Sequence, residues 1–305
     1  MGSDAGIAIV GAGALGTLLA ARLSGAGSAV RVLARRRERA QALPREAPDA
    51  VATTDAADLV PAAIVFLCVK AHDTESAARL LAPLLASAPA PVVSLQNGWG
   101  HMNLLAALLP GIPLVAATTT LGAYWDEAGR YHVSPDGETI FAPWRTADAA
   151  STAGTADAAA RFRTAGFTAG AADNARDLLW RKLVLNVAVN PLTAIHDVSN
   201  GALRTTPGLW GVCVAAAREA VAVGAARGHL SDAYDPEPPL QRLLRDTATN
   251  RSSMAQDLAR GRRTEGEAIV GSVVREGAEA GVSTPVIASL AARLAERESA
   301  ARRTA

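Results

Sequence analysis

Aromatic residues, cysteines and net charge are all scarce in this chain of 305 residues. Aromatics make up 4% of it, and 30 basic side chains face 29 acidic ones, a net charge of +1. So even a balance gives no strong field for nucleic acid or an anionic membrane. Cys68 and Cys213 are the only cysteines, lie far apart in apolar surroundings and form no CxxC pair. That excludes a disulfide scaffold and fits a reducing compartment. His72, His101, His132, His196 and His229 show no ligand spacing, so no metal site is expected. Neither a GxSxG elbow nor a Cys–His arrangement is present. No uninterrupted apolar run reaches the ~20 residues of a membrane span. The first apolar run, Ile7 to Ala21, is interrupted by three glycines and lacks a basic lead, unlike a signal peptide. A soluble, cytoplasmic protein is expected.

Apolar residues are half of the chain, ample for a core, and its length suits one large domain or two ordinary ones. In the first half, β-rich runs alternate with helical ones. GIAIVG (6–11) reads as a strand, followed by a helix from Ala14 to Gly25 and a second strand at AVRVLAR (29–35). AAIVFLCVK (62–70) and PVVSLQNG (91–98) are apolar runs ending in polar residues, as strands buried on both faces of a parallel sheet do. A helix from Glu75 to Ala86 separates them. PLVAATTTLGAYW (113–125) reads as one further strand, and YHVS with ETIFAPW as an antiparallel addition. The alanine-rich run from Asp148 to Phe162 is set aside as compositional bias. From about Asp173 every segment has helical periodicity. The fold class is therefore α/β: a doubly wound sheet over residues 1–172, then an all-helical domain over 173–305.

Gly11-Ala12-Gly13-Ala14-Leu15-Gly16 follows a strand and opens a helix, the context that the GxGxxG pattern needs. Gly11 permits a tight turn, Gly13 lets a pyrophosphate approach the backbone, and Gly16 allows close helix–strand packing. The helix start adds free amides and a positive dipole. A Rossmann-type dinucleotide site is the reading. An NAD-preferring unit ends its second strand with an acid, whereas this one ends Leu33-Ala34-Arg35-Arg36-Arg37. Guanidinium can hold a 2′-phosphate by paired hydrogen bonds, which favours NADP, with Arg35 as first choice. Lys70 and Asn97 end two other strands at the edge where such sheets bind ligands.

The segment WRKLVLNVAVNP (180–191) sets Lys182, Asn186 and Asn190 four apart in an apolar helix. Four residues advance only ~40° beyond one turn, so the three form one polar stripe. Either neighbouring helices satisfy these groups or they face a ligand. Pro191, lacking an amide hydrogen, is expected to kink or end the helix. Thr264 and Glu267 have the spacing of a capping box, and Ser252 reads as structural. Arg260, Arg262 and Arg263 read as flanking a helix end, although proximity to Glu265 could place one near cofactor phosphates. Trp99, Tyr124 and Trp125 follow strands and could equally wall a cleft or pack in a core.

GAGALG, QNGWG (96–100), LWRKLVLNVAVNPLTAI (179–195), SSMAQDL (252–258) and RRTE (262–265), in this order, resemble the ketopantoate reductase family over almost the whole chain. The resemblance implies NADPH-dependent reduction of 2-dehydropantoate to pantoate, in a cleft between a Rossmann domain and a helical domain. It makes Lys182 the proton donor, and Asn186, Asn190, Asn200 and Ser253 the substrate contacts. Gly11 to Gly16, Arg35, Lys70, Asn97, Ala123 and Glu265 would then line the cofactor site or its border with the substrate. Independently, hydride addition to a ketone leaves charge on oxygen and needs a donor; burial can bring a lysine's pKa toward neutrality for that task. Val270-Gly271, His196-Asp197 and Trp99 depart from the family pattern. They leave open a same-fold reductase of another small 2-oxo acid or imine, or an NADP-binding sensor without activity. The implied partner is a small-molecule 2-oxo acid, with neither nucleic acid nor membrane, and the apolar helical half makes a homodimer credible.

Overall fold

The apolar runs that end in polar residues pair side by side. The computed structural model describes residues 6–126, 128–134 and 137–304. Its strands are β1 (Gly6–Val10), β2 (Val30–Leu33), β3 (Val51–Thr53), β4 (Ala62–Leu67), β5 (Val92–Ser94), β6 (Leu114–Thr119), β7 (Ala123–Trp125), β8 (Tyr131–Val133), β9 (Glu138–Pro143) and β10 (Thr168–Ala171). Eight of them form one sheet in the order β10-β9-β6-β5-β4-β1-β2-β3. From β3 to β6 every pairing is parallel, giving the 3-2-1-4-5-6 order of dinucleotide-binding sheets. β9 joins antiparallel to β6, and β10 runs parallel to β9. The expected strand over 113–125 is two strands. It breaks after Thr119, and β7 leaves the sheet to pair with β8.

Two compact units result: residues up to Gln96 with His101–Leu178, and Asn97–Gly100 with Leu179 onward. The first carries α1 (Ala14–Gly25), α2 (Arg37–Ala42), α3 (Thr74–Ser87), α4 (His101–Leu108) and α5 (Ala149–Thr164). The alanine-rich run set aside on composition is α5, capped by Asp148, whose carboxylate accepts from the Ala150 amide at 3.1 Å. Its Phe162 lies 5.4 Å from Phe66, 4.9 Å from Phe141 and 5.1 Å from Phe167 between ring centroids. These are all four phenylalanines of the chain, gathered into one cluster. Small alanines on the rest of α5 let it sit close to the sheet.

The second unit is helical. α6 (Ala175–His196), inside which the division between units falls, is followed by α7 (Ala202–Thr205), α8 (Leu209–Ala226), α9 (Glu237–Asp246), α10 (Ser253–Ala259), a π-helical turn (Glu267–Gly271), α11 (Ser272–Ala280) and α12 (Pro285–Thr304). Of the two outcomes expected at Pro191, a kink or an end, the helix does not end there and continues to His196. Leu192, Thr193 and Ala194 beyond it are buried, and their packing holds the turn that the missing amide weakens. Termination falls to Asp197, which adopts φ 55° while the Val198 amide returns to the Thr193 carbonyl at 3.1 Å. That closure is a Schellman-type cap, with Asp197 at its left-handed position. Among the described residues one helix, α8, is long and apolar enough to cross a membrane, and half of it is buried within the protein.

The π-helical turn replaces the expected capping box. The Thr264 amide donates to Glu298 at 3.0 Å rather than to Glu267, and Glu267 pairs with Arg275. Ser252 does cap α10, accepting from the Ala255 amide at 3.1 Å.

Where α6 meets α8, Trp180 is fully buried and its Nε1 donates to the Ala220 carbonyl at 2.8 Å. A Cβ on Gly224 would stand 2.2 Å from that Nε1. In an open helix Gly→Ala gains about 1 kcal/mol, but here the clash costs about 1–3 kcal/mol. Gly224→Ala is therefore expected to lower the urea midpoint. A raised midpoint would mean that helix propensity dominates at this position.

Candidate active site

The glycine loop of the first unit has the geometry that its three glycines imply. Gly11 has φ +112°, and a Cβ there would lie 3.0 Å from the Cys68 backbone. Over Gly13 a Cβ would meet nothing within 4 Å, which leaves room for a phosphate to approach. At Gly16 a Cβ would fall 1.9 Å from the Gly11 carbonyl, so only glycine allows this packing. α1 starts from Gly13, which has no side chain to cap it, and has no acid in its first turn. An anion could therefore take the place of a cap. Ala14 is also tied down, since Tyr131 of β8 donates to its carbonyl at 2.7 Å. Ala123, opposite Val133 at the start of β7, packs against the sheet core in the same hairpin.

The basic run after β2 is divided among partners. Arg35 is largely exposed and pairs with Asp73 at 3.1 Å. Arg36 precedes α2, Arg37 begins it, and Arg39 lies over the Trp125 ring at 4.6 Å. Lys70 stands just beyond β4, at the start of a short 3-10 turn, Ala71–Asp73. Gln96, which the sequence reading left without a role, fixes that segment. Buried, it donates to the carbonyls of Val69 and Lys70 at 3.1 and 3.2 Å and to Thr74 Oγ1 at 2.8 Å. An amide at the end of an otherwise apolar strand was the available signal. These residues can accommodate a phosphorylated dinucleotide: open space over Gly13, an unblocked helix start and a guanidinium where the acid of an NAD site would stand.

The helical unit gathers the other group. Lys182 and Asn186 are half-buried on α6 and Asn190 is buried, so the predicted stripe is present. Desolvation lowers the Lys182 ammonium from its ordinary 10.5 to about 8, and the Glu265 carboxylate holds it from falling further. Glu265 is itself buried, and Asn97 Nδ2 donates to its Oε2 at 3.4 Å. Asn97, Glu265 and Lys182 thus belong to one electrostatic cluster in this unit. Asn200 is buried; its Nδ2 donates to Thr247 at 2.8 Å and its Oδ1 accepts from no described residue. Ser253 is exposed at the first position of α10, while buried Ser252 accepts from Thr193 at 2.7 Å.

Trp99 packs in the core of this unit. Its amide donates to the Ala268 carbonyl at 2.8 Å and its Nε1 to Glu276 at 2.9 Å. Its ring packs edge-on against Trp180 at 4.8 Å and lies 4.4 Å from His229. Ala268 belongs to the π-helical turn, and Gly98, at φ +90°, approaches it so closely that a Cβ would fall 2.4 Å from its carbonyl oxygen. The Asn97–Gly100 loop is thereby stitched to the turn that follows Glu265. Tyr124, by contrast, is exposed and stacked on His132.

The chain resembles known proteins over most of its length. Two family profiles match, "Ketopantoate reductase PanE/ApbA" over residues 7–146 and "Ketopantoate reductase PanE/ApbA C terminal" over 174–298. The chain is 35% identical to the 2-dehydropantoate 2-reductase of Halobacterium salinarum, covering 96% of this chain and 99% of that one. It is also 35% identical to the enzyme of that name from Archaeoglobus fulgidus, over 92% and 93%. A crystal structure of a PanE/ApbA family ketopantoate reductase from Ralstonia eutropha superposes with a TM-score of 0.86 at 32% identity, covering 97% and 99%. A D-mandelate dehydrogenase bound to NADH shares the fold at 22% identity, with a TM-score of 0.85 over 97% and 99%.

Because Glu265 holds the lysine pKa up, Glu265→Gln is expected to lower it below about 8. The 13Cε chemical shift of Lys182 followed against pH measures this. A midpoint that stays or rises would mean that the carboxylate does not act on the amine. From the glycine loop to the lysine helix, this chain belongs to the ketopantoate reductase family.

Proposed function

We propose that the chain is an NADPH-dependent 2-dehydropantoate 2-reductase, in which Lys182 gives the proton that accompanies hydride addition. The observation that carries the reading is a desolvated lysine with a pKa of about 8 beside a buried carboxylate. An ordinary surface lysine holds its proton too tightly to be an efficient acid near neutral pH. Bound NADPH supplies the hydride. As charge grows on the ketone oxygen, the Lys182 Nζ first stabilises it and then transfers its proton to that oxygen, becoming neutral. Glu265 keeps the amine protonated in the resting state, and Asn97 restrains Glu265. Asn186, Asn190 and Ser253 offer amide and hydroxyl donors suited to a carboxylate, and Asn200 Oδ1 is an acceptor suited to a hydroxyl. Arg35 takes the 2′-phosphate, with Gly11 to Gly16, Lys70 and Ala123 completing the cofactor set. A reducing cytoplasm is part of the same reading, supported by two free thiols, Cys68 and Cys213. So is a homodimer, on the strength of an alanine- and valine-rich helical unit.

The pH dependence follows from the direction of the lysine shift. Its acid form dominates below about 8 and is lost as pH rises through that value. Turnover in the reductive direction should therefore fall above about pH 8. Lys182→Ala should lower turnover by about 10²–10⁴-fold with cofactor affinity retained, and should remove that alkaline limb. A panel of 2-oxo acids run in parallel tests the substrate. Turnover of another keto acid with none of 2-dehydropantoate would overturn the assignment.

A further inference from the structure

The NADPH reading gives Arg35 a task, but it leaves unexplained the carboxylate already attached to it. We propose that Asp73 is a specificity-determining residue that moderates the preference for NADPH over NADH. This inference rests on the proposed function, in particular on Arg35 as the 2′-phosphate ligand.

Asp73 lies 38 positions from Arg35 along the chain, and its Oδ1 accepts from Arg35 Nη1 at 3.1 Å. It occupies the residue just before α3, the place where aspartate commonly caps a helix. Its carboxylate nevertheless makes no cap bond there. Its main chain is used locally, the carbonyl accepting from Ser76 Oγ at 2.9 Å and the amide donating to the Lys70 carbonyl at 2.9 Å. The second carboxylate oxygen lies 3.8 Å from His72 Nε2. Glu75, the other acid at this helix start, turns away to Arg79 at 2.8 Å. The Asp73 carboxylate is thus directed to the guanidinium rather than to its own helix, while the helix dipole favours its charge.

Sheets of this type that prefer NAD carry an acid at the end of the second strand, where it accepts from the ribose hydroxyls. Here β2 ends in arginine, and an acid reaches the same corner from the segment after β4. Two effects follow, and they act in one direction. A 2′-phosphate must share Arg35 with a carboxylate of its own sign, which weakens NADPH binding. A cofactor with a free 2′-hydroxyl meets an acceptor already in place. Since Arg35 is three-quarters exposed, solvent screens both effects, and the change in selectivity is modest.

Asp73→Asn keeps the shape, removes the charge and sacrifices no cap. Titration calorimetry of NADP⁺ and NAD⁺ against the full-length protein, at low and high salt, reads the result without turnover. The expected outcome is a rise of about two- to fivefold in the NADP⁺ over NAD⁺ affinity ratio at low salt, smaller at high salt, with the thermal midpoint unchanged. A ratio that stays or falls overturns the proposal. Arg35→Ala, measured alongside, separates the two levels. If that substitution collapses the ratio while Asp73→Asn leaves it alone, only the role of Asp73 fails. If Arg35→Ala leaves the ratio unchanged, the 2′-phosphate assignment and this inference fail together.

Discussion

The chemistry of the helical unit depends on one unfavourable act of burial that a second burial offsets. An ammonium in an apolar helix loses hydration, which drives Lys182 toward its neutral form. The Glu265 carboxylate opposes that loss, so the amine keeps its proton at neutral pH and gives it up at moderate cost. Either group alone would sit worse: the lysine would hold its proton less firmly, or the carboxylate would be buried without a counter-charge. Holding the two in register is therefore a structural demand on the surrounding residues.

Much of the unit answers that demand. The π-helical turn after Glu265 offers a carbonyl, Ala268, that the Trp99 amide and Ser272 Oγ both use. Trp99 is fixed from the other side by Glu276, which also pairs with Arg227. Ahead of Glu265, Thr264 is pinned to Glu298 of α12. The carboxylate is thus approached from an anchored loop, a widened helical turn and the last helix. Trp99, a departure from the family pattern, acts as the pin of that loop through its ring and its Nε1.

The sheet unit solves a different problem with backbone alone. Three glycines shape the strand–helix turn for three separate steric reasons, and only Gly13 leaves space for a ligand. With aromatics so few, the unit commits all four phenylalanines to one cluster centred on Phe162, and aliphatic side chains fill the rest of the core. Polar precision at the strand ends comes from Gln96, which makes three donor contacts with one side-chain amide and so fixes the path of the chain from Val69 to Thr74.

The sequence by itself determined whatever depends on local periodicity and steric necessity. α1 spans Ala14–Gly25 as its apolar spacing dictates, α3 agrees to within a residue at each end, and the glycine loop and the Lys182 stripe follow from spacing along a single element. Tertiary structure decided the cases in which a local signal met a stronger distant partner. Glu298 takes the Thr264 amide that a capping box would give to Glu267, and buried neighbours carry α6 through Pro191. Asp73 pairs with Arg35 and makes no cap bond to its helix. The alanine-rich run becomes α5 because a sheet face and a phenylalanine cluster are there to receive it. No spacing rule could pair Lys182 with Glu265 either, since 83 residues separate them and only packing brings their charges within reach.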